Sequence, residues 1–329
     1  MNNQFRVATF NLLNLVSPNV HYYGKKHYSK QTFNKKKQWI CQQLKHMNAD
    51  IVGFQEVFHE EALQEVVDAS GLYPHAQLAT ANANGSQPVV GLLSRFPIKN
   101  VEVIVPFPEV LDIEGMEIPI REFRRPVLKA DVEVRPGLEL CCYVVHLKSK
   151  RPIYPDGKEV ERDDPVERGK GQARALILRA AEAAALRSLL MHTLQKRSKP
   201  VIVMGDVNDS GMAVTSRIIS GEPPFRKMAR EQKKKIWDVL LYHVKDVQAR
   251  RSYHDFYYTH IHNGHYESLD HIMVSQELVQ ENPNHIGRVG QVQVLNDHLV
   301  DETFSRKKVN SWQSDHGQVV ATIELRDPK

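Results

Sequence analysis

An α/β fold is what this sequence predicts, on three observations. Short runs of β-branched and apolar residues recur along the chain, among them VATF, DIVGFQ, VVGLL, CCYVV, VIVMG and VVATI. Runs apolar at nearly every residue read as strands buried on both faces. Between them lie segments with helical apolar spacing, clearest at 32–47 and 172–195, which supply helices to cover a sheet. Finally, polar residues of a restricted set stand at the strand ends, where open α/β sheets place their ligands.

Taken in order, a first strand is expected over 6–13, ending near Asn11 and Asn14. A loop with His21, Tyr22, Tyr23, His27 and Tyr28 follows. Phe33, Ile40, Leu44 and Met47 recur at helical spacing and predict an amphipathic helix over 32–47. Residues 50–55 form a second buried strand ending at Glu56, and 60–70 a short helix stopped by Gly71. Strands at 89–93 and 101–105 flank the turn signal Arg95-Phe96-Pro97. Strands at 127–134 and 138–147 are antiparallel partners joined at Arg135-Pro136-Gly137.

Residues 148–170 are rich in Pro, Asp, Arg, Lys and Gly without an apolar period, and read as a long mobile loop. The strongest helix, rich in Ala, Leu and Arg, then spans 172–195. A strand over 201–205 follows, and 236–244 reads as a helix. Segments 255–261 and 265–274 flank Asn263-Gly264, the best hairpin signal in the chain. A last strand at 319–325 follows Ser314-Asp315-His316. With no internal repeat and no dividing linker, residues 1–329 are expected to form a single domain.

Composition narrows the class. At 41% hydrophobic and 25% charged residues the chain is ordinary globular protein, neither disordered nor membrane-spanning. The start MNNQFRVATF shows no basic region leading into an apolar one, and no run of about 18 apolar residues follows. Three cysteines, two of them adjacent at Cys141 and Cys142, make neither a disulfide framework nor a zinc knuckle. A cytoplasmic location without stable membrane insertion is the expectation. The net charge of +5 favours phosphate-bearing partners, with basic residues gathered at 25–37, 148–151 and 226–235.

The strand-end residues carry the chemistry. Asn11 follows VATF, Glu56 follows IVGFQ, His146 follows CYVV, and Asp206 and Asn208 follow VIVMG. Asp315 and His316 precede the last strand, and Asp270 lies within SLDHIM. One such residue reads as a cap or turn former; so many together are more than capping explains. Carboxylates such as Glu56 are hard oxygen ligands suited to Mg²⁺ or Mn²⁺.

In this order ATFNLLN, GFQEV, VVHLKS, MGDVND, SLDHIM and SDHGQV resemble the endonuclease/exonuclease/phosphatase superfamily, the DNase I-like fold, over nearly the whole chain. GDxN and SDH are weak motifs singly and strong in this sequence of six. The resemblance implies a four-layered α/β sandwich, two packed mixed β-sheets flanked by helices, with the active site at one end. It implies Mg²⁺ (or Mn²⁺) held by Glu56, with Asn11 and Asp315 completing or orienting the shell. The reaction it implies is phosphate ester hydrolysis, which needs charge neutralisation on the phosphoryl oxygens, an oriented water and help for the leaving oxygen. Asp206 would orient or deprotonate the attacking water and Asn208 hold it or a phosphate oxygen. His316 and His146 would donate to phosphoryl oxygens, with Asp270 fixing the tautomer of His316.

Arg95 and Arg124 (or its neighbour Arg125), with a rim of Lys148, Lys150, Arg151 and Arg174 beside His146, are candidate contacts to the substrate phosphate, a solvated charged surface being the alternative. His260, His262 and His265 straddle the Asn-Gly tip with no fourth ligand evident, and are expected to be solvated surface histidines rather than a zinc site. Two departures from the family bear on substrate. Phe58 and Leu13 stand where abasic-site enzymes carry Lys and Asp or Asn. Asp209 and Ser210 stand where inositol-phosphate 5-phosphatases carry an aromatic and a basic residue. The expectation is a Mg²⁺-dependent phosphodiesterase acting on nucleic acid, in an unassigned bacterial-type branch of the family. A phosphomonoesterase, a lipid phosphodiesterase and an inactive phosphate-binding scaffold stay open as alternatives.

Overall fold

The computed structural model describes residues 3–24, 26–108, 120–155, 161–196, 199–225, 227–249, 257–303, 305 and 307–327. The chain begins with β1 (Gln4–Leu15), α1 (Lys30–Met47), β2 (Ile51–His59), α2 (Glu60–Ser70), β3 (Gln77–Thr80) and β4 (Asn84–Ser94). It continues through β5 (Ile98–Pro106), β6 (Glu122–Arg135), β7 (Leu138–His146), α3 (Pro165–Lys196), β8 (Val201–Asp206), α4 (Val214–Ser220) and α5 (Arg230–Trp237). It ends with β9 (Leu241–His243), α6 (Val244–Ala249), β10 (His260–His262), β11 (His265–Glu267), β12 (Asp270–Ser275), β13 (Gly287–Leu295) and β14 (Gln318–Leu325).

Two six-stranded sheets result, ordered β13-β14-β1-β2-β4-β3 and β5-β6-β7-β8-β12-β9. Both are mixed, since β1 and β2 run parallel in the first and β7 and β8 in the second. Strand alternation dictates the layering. Cys142, Val144, Ile202 and Met204 enter a core shared with Val7, Ile51 and Leu92 on the facing side of the first sheet. Their neighbours Cys141, Tyr143, Val145, Val201 and Val203 enter a second core against Leu186 and Leu190 of α3. A strand apolar on both faces needs cover on both. At Gly53 the sheets come so close that a Cβ would sit 2.7 Å from the Met204 sulfur. On the far side α1 closes the first sheet, with Trp39 edge-on to Phe10 at 5.7 Å. The expected four layers are therefore present. No helix among the described residues is long and apolar enough to cross a membrane.

Where the elements differ from expectation, local signals or sheet pairing explain it. α3 begins at Pro165, so the second part of the expected 148–170 loop is helical. Asp164 caps it, its Oδ1 accepting from the backbone N–H groups of Val166 (2.9 Å) and Glu167 (2.8 Å). An N-cap Asp followed by Pro at the first helical position is a helix start that needs no apolar period. Residues 156–160 of that loop lie outside the described ones. The expected helix at 236–244 is divided among α5, β9 and α6, because Leu241–His243 pairs with the edge of β12. The expected strand at 265–274 breaks into β11 and β12. The edge strands β3 and β13 and the short α4 had no clear sequence signal, being short or half-exposed.

Gly205, one residue before Asp206, has φ +149°, and a Cβ there would lie 2.0 Å from the Val145 carbonyl oxygen. Backbone in a buried parallel ladder cannot give way as a side chain would. Gly205→Ala is expected to cost about 1–3 kcal/mol of stability, read from the urea midpoint, and an unchanged midpoint would refute this account of the strand end.

Candidate active site

Sheet register gathers the strand-end residues. Parallel pairing sets His146 opposite Asp206, and antiparallel pairing sets Asp270 opposite Asp206, so the three form a row at one end of the second sheet. In the first sheet Asn11 pairs with Gln55, the residue before Glu56. The 314–316 turn reaches the same end because Ser314 Oγ donates to the Asn11 carbonyl (2.7 Å) and accepts from His316 N–H (3.0 Å).

The strand ends are irregular where these residues sit. The β1–β2 ladder slips between Asn11 and Leu15, and the β2–β4 ladder between Phe54 and Val57. Leu13, Asn14, Glu56 and Asn208 take positive φ of 49°, 58°, 62° and 56°. Such bulges re-aim side chains, and left-handed non-glycine residues cost roughly 1–3 kcal/mol each. The strain is held by bonds that also orient the site. Asn14 N–H donates to Glu56 Oε2 (2.9 Å), Leu13 N–H to Asn11 Oδ1 (3.0 Å), and Asn208 N–H to Asp206 Oδ1 (2.8 Å).

Asp206 is the hub. Its Oδ2 accepts from Asn11 Nδ2 (3.1 Å) and lies 3.4 Å from His146 Nε2 and 3.8 Å from His316 Nε2. His316 Nδ1 bonds Asp270 Oδ2 at 2.8 Å, and the Asp270 N–H is in turn held by Thr259 Oγ1 (3.1 Å). Asn208 anchors its amide on the Leu147 carbonyl (3.0 Å). Burial sets the charges. It raises the Asp206 carboxyl, with Asp270 adding to the effect and His316 opposing it. Burial alone would lower His316, but Asp270 and Asp206 overcome it and hold the imidazole well above its ordinary range. His146 goes the other way, held neutral by burial and by the nearby Arg125 and His316 charges. The two histidines expected to act alike thus differ in protonation.

A cleft of about 1010 Å³ opens over this row, with Glu56, Arg125, His146, Asp206, Asn208 and His316 on its walls. Of the candidate substrate-binding cations, Arg125, Lys150 and Arg151 line it; Arg95 instead pairs with Asp50 (3.0 Å), and Arg124, Lys148 and Arg174 are not on its walls. Lys148 is buried, and its ammonium donates to the carbonyls of Ser149 and Arg151, each at 2.9 Å. Burial and the neighbouring arginines lower its pKa to about 8. Arg174 donates to the Ile153 carbonyl (3.2 Å), and Arg124 is exposed with its N–H on Glu182 Oε1 (3.0 Å). Arg125, with a buried Nε that lacks a partner among the described residues, reaches the cleft together with Lys26, Lys150, Arg151 and Arg168.

A family model described as the endonuclease/exonuclease/phosphatase family matches residues 8–316. The chain belongs to this endonuclease/exonuclease/phosphatase family. Solved structures agree in fold. An endonuclease/exonuclease/phosphatase from Bacteroides vulgatus superposes with a TM-score of 0.58 at 15% identity, covering 98% of this chain and 99% of that one. The human Nocturnin catalytic domain, solved with a bound sulfate anion, gives 0.58 at 16%, covering 99% and 96%. Truncated Caenorhabditis elegans TDP2 gives 0.56 at 14%, covering 98% of each. No curated relative matches the sequence directly.

The residues present fit the divalent metal that the endonuclease/exonuclease/phosphatase fold implies. Glu56 and Asp315 are close enough for the charge of Asp315 to raise the Glu56 carboxyl, though burial raises it more. The buried Oδ1 atoms of Asp315 and Asn14 have no hydrogen-bond partner among the described residues. These are hard oxygen donors. Asn11, bonded through both ends of its amide, bridges Asp206 to the β1 bulge. Two groups, His260 with Asp315 and His316, and Asp206 with Asp270 and His316, bring one ligand atom each within 4.8 Å of one another.

His260 corrects the expectation of a solvated hairpin-tip histidine. Its ring lies 4.9 Å from that of His316, and its Nδ1 is 2.9 Å from the Asp315 carbonyl. His262 lines the cleft, and His265 is exposed as expected. The hairpin folds back over the site, a long-range placement that the Asn-Gly signal does not encode. Lys36 also escaped the sequence reading. It is fully buried on α1 with its ammonium on the Leu13 carbonyl (3.0 Å), behind the bulge that carries Asn11 and Asn14.

Proposed function

We propose that this chain is a divalent-metal-dependent phosphodiesterase acting on nucleic acid, working as one domain over residues 1–329. The observation that supports it most is the row Asp270–His316–Asp206–His146, with Glu56 and Arg125 beside it in one cleft. Asp206 takes the proton of the attacking water, and Asn208, fixed on Leu147, helps hold that water. His316, protonated and braced by Asp270, donates its Nε2 proton to a phosphoryl or leaving oxygen. Neutral His146 and cationic Arg125 bind the phosphoryl oxygens from the second sheet. Glu56 and Asp315 would hold Mg²⁺ or Mn²⁺, with Asn11 orienting them, and such an ion neutralises phosphate charge as a Lewis acid. The fixed donors supply the electrostatic complement to charge that develops in the transition state. The basic balance of the chain and the cations on the cleft wall favour a polymeric anion over a neutral or lipid ester.

The test compares bis-p-nitrophenyl phosphate with the mono-ester, with Mg²⁺ or Mn²⁺ and after chelation, beside a panel of DNA, RNA and phospholipid. Metal-dependent diester hydrolysis with turnover of DNA or RNA is the expected result. Turnover of the mono-ester alone would overturn the phosphodiesterase reading, and activity on none would overturn the enzyme reading. Glu56→Gln is expected to raise the metal concentration for half-maximal activity about 10-fold or more; an unchanged metal titration would remove Glu56 from the metal shell.

A further inference from the structure

Beside the catalytic cleft lies a second cavity of about 390 Å³ walled by Arg151, Pro152, Tyr154, Arg162 and Arg168. Arg151, Pro152 and Arg168 also line the catalytic cleft, so the two spaces share a wall. We propose that Arg151, Arg162 and Arg168 form an anion subsite that takes a neighbouring phosphate of a polynucleotide while the scissile phosphate lies at His316. This deepens, and rests on, the phosphodiesterase reading above.

Three observations carry it. The first is charge. Among the described residues none of the three guanidiniums pairs with a carboxylate, although Lys150 pairs with Glu267 (2.8 Å) and Lys170 with Glu167 (2.6 Å) close by. Like charges gathered on one small cavity repel each other until an anion enters, and arginine forks match phosphate oxygens two at a time.

The second is construction. The segment bearing Arg151 is tied down by Lys148, whose ammonium donates to the Arg151 carbonyl (2.9 Å). Ile153 N–H donates to the Gly171 carbonyl (3.0 Å), and Arg174 Nη1 to the Ile153 carbonyl (3.2 Å). Gly171 is needed there, since a Cβ would lie 2.9 Å from Pro152 Cβ. Arg162 lies over the Tyr154 ring at 5.5 Å, and the Tyr154 hydroxyl donates to the Arg162 carbonyl (3.3 Å). Lys148 and Arg174, expected to face substrate beside Arg151, hold the carbonyls of Arg151 and Ile153 and so fix the segment that carries Arg151.

The third is placement. Arg168 stands in the first turn of α3 and Arg151 lies shortly after the end of β7, so both are held by elements that build or flank the catalytic row. A substrate with a single phosphodiester fills the cleft alone, whereas one with adjacent phosphates reaches both spaces.

The experiment compares wild type with an Arg151→Gln, Arg162→Gln, Arg168→Gln triple variant of the full chain. It measures kcat/KM for bis-p-nitrophenyl phosphate and for a short oligothymidylate, and the salt dependence of binding of fluorescein-labelled oligothymidylate. The residues are exposed, and equal melting temperatures will show that the fold is kept. The expected result is a loss of kcat/KM on the oligonucleotide about 10–100-fold greater than on the single diester, with the log–log salt slope reduced by about 0.7. Equal losses on both substrates with an unchanged slope would overturn the subsite and leave the phosphodiesterase reading standing. If wild type hydrolyses no diester, that reading fails, and the binding slope alone then decides: reduced supports the subsite, unchanged overturns it.

Discussion

Asp206→Asn is expected to lower kcat by roughly 10²–10⁴-fold, the range for loss of a positioned acid–base group, while the protein stays folded. The carboxylate is buried, and its two oxygens accept from Asn208 N–H and Asn11 Nδ2. Asparagine keeps the shape and one acceptor but presents an NH₂ where the Asn11 amide already donates, a mismatch costing about 1–3 kcal/mol. An opposing term offsets it. Because burial raises the Asp206 carboxyl above its unfolded value, the ionised form subtracts stability above the unfolded pKa, and this cost fades as pH falls. The neutral amide removes that cost at neutral pH. A melting temperature close to wild type with activity nearly lost is the expected pair of results, from thermal melts and bis-p-nitrophenyl phosphate assays. Activity within about 10-fold of wild type would exclude Asp206 as the base.

The second large effect is expected at Asp270→Asn. Asp270 touches no solvent, and its carboxylate bonds His316 Nδ1 at 2.8 Å, the contact through which it would act in the proposed reaction. Removing its charge deletes the largest influence holding that imidazole protonated, and burial, which favours the neutral ring, then gains ground. Wild type is expected to show a bell-shaped profile. Activity rises with pH as Asp206 ionises at its raised pKa and falls as His316 deprotonates above its ordinary range, the two titrating as a coupled pair. In Asp270→Asn the basic limb moves to lower pH and kcat falls by roughly 10²-fold or more. Stability follows the same sign. A histidine with a raised folded pKa contributes stability that is present below its unfolded pKa and lost as pH rises through the folded one, so the variant's deficit is largest at acidic pH. A purely structural role for Asp270 would lower stability and leave the basic limb in place.

How much of this was legible can be judged residue by residue. The run VIVMGD announced a buried strand with a carboxylate at its end, because period and burial are local properties that composition records. Gly71 as a helix stop and Asn263-Gly264 as a hairpin tip were legible for the same reason. Asp164-Pro165 was just as local a signal, masked by the charge of the segment around it. His260, by contrast, carried none: an exposed hairpin histidine and one packed against His316 have the same neighbours in sequence.

By itself, then, the sequence determined the strand runs, the covering helices and the inventory of Asn, Glu, Asp and His at strand ends, and with their order the family. Only the tertiary structure decided which charge each one carries. His146 and His316 are both strand-end histidines near Asp206, yet one lies beside Arg125 and the other is bonded to Asp270, so the same burial leaves one neutral and the other protonated. It also decided which cations face the cleft, turning Lys148 inward to loop carbonyls and leaving Arg125 and Arg151 on the wall. Desolvation and charge pairing act through space over a few ångströms, and those distances are set by sheet register and bulges between residues as far apart in the chain as Asn11 and Asp206.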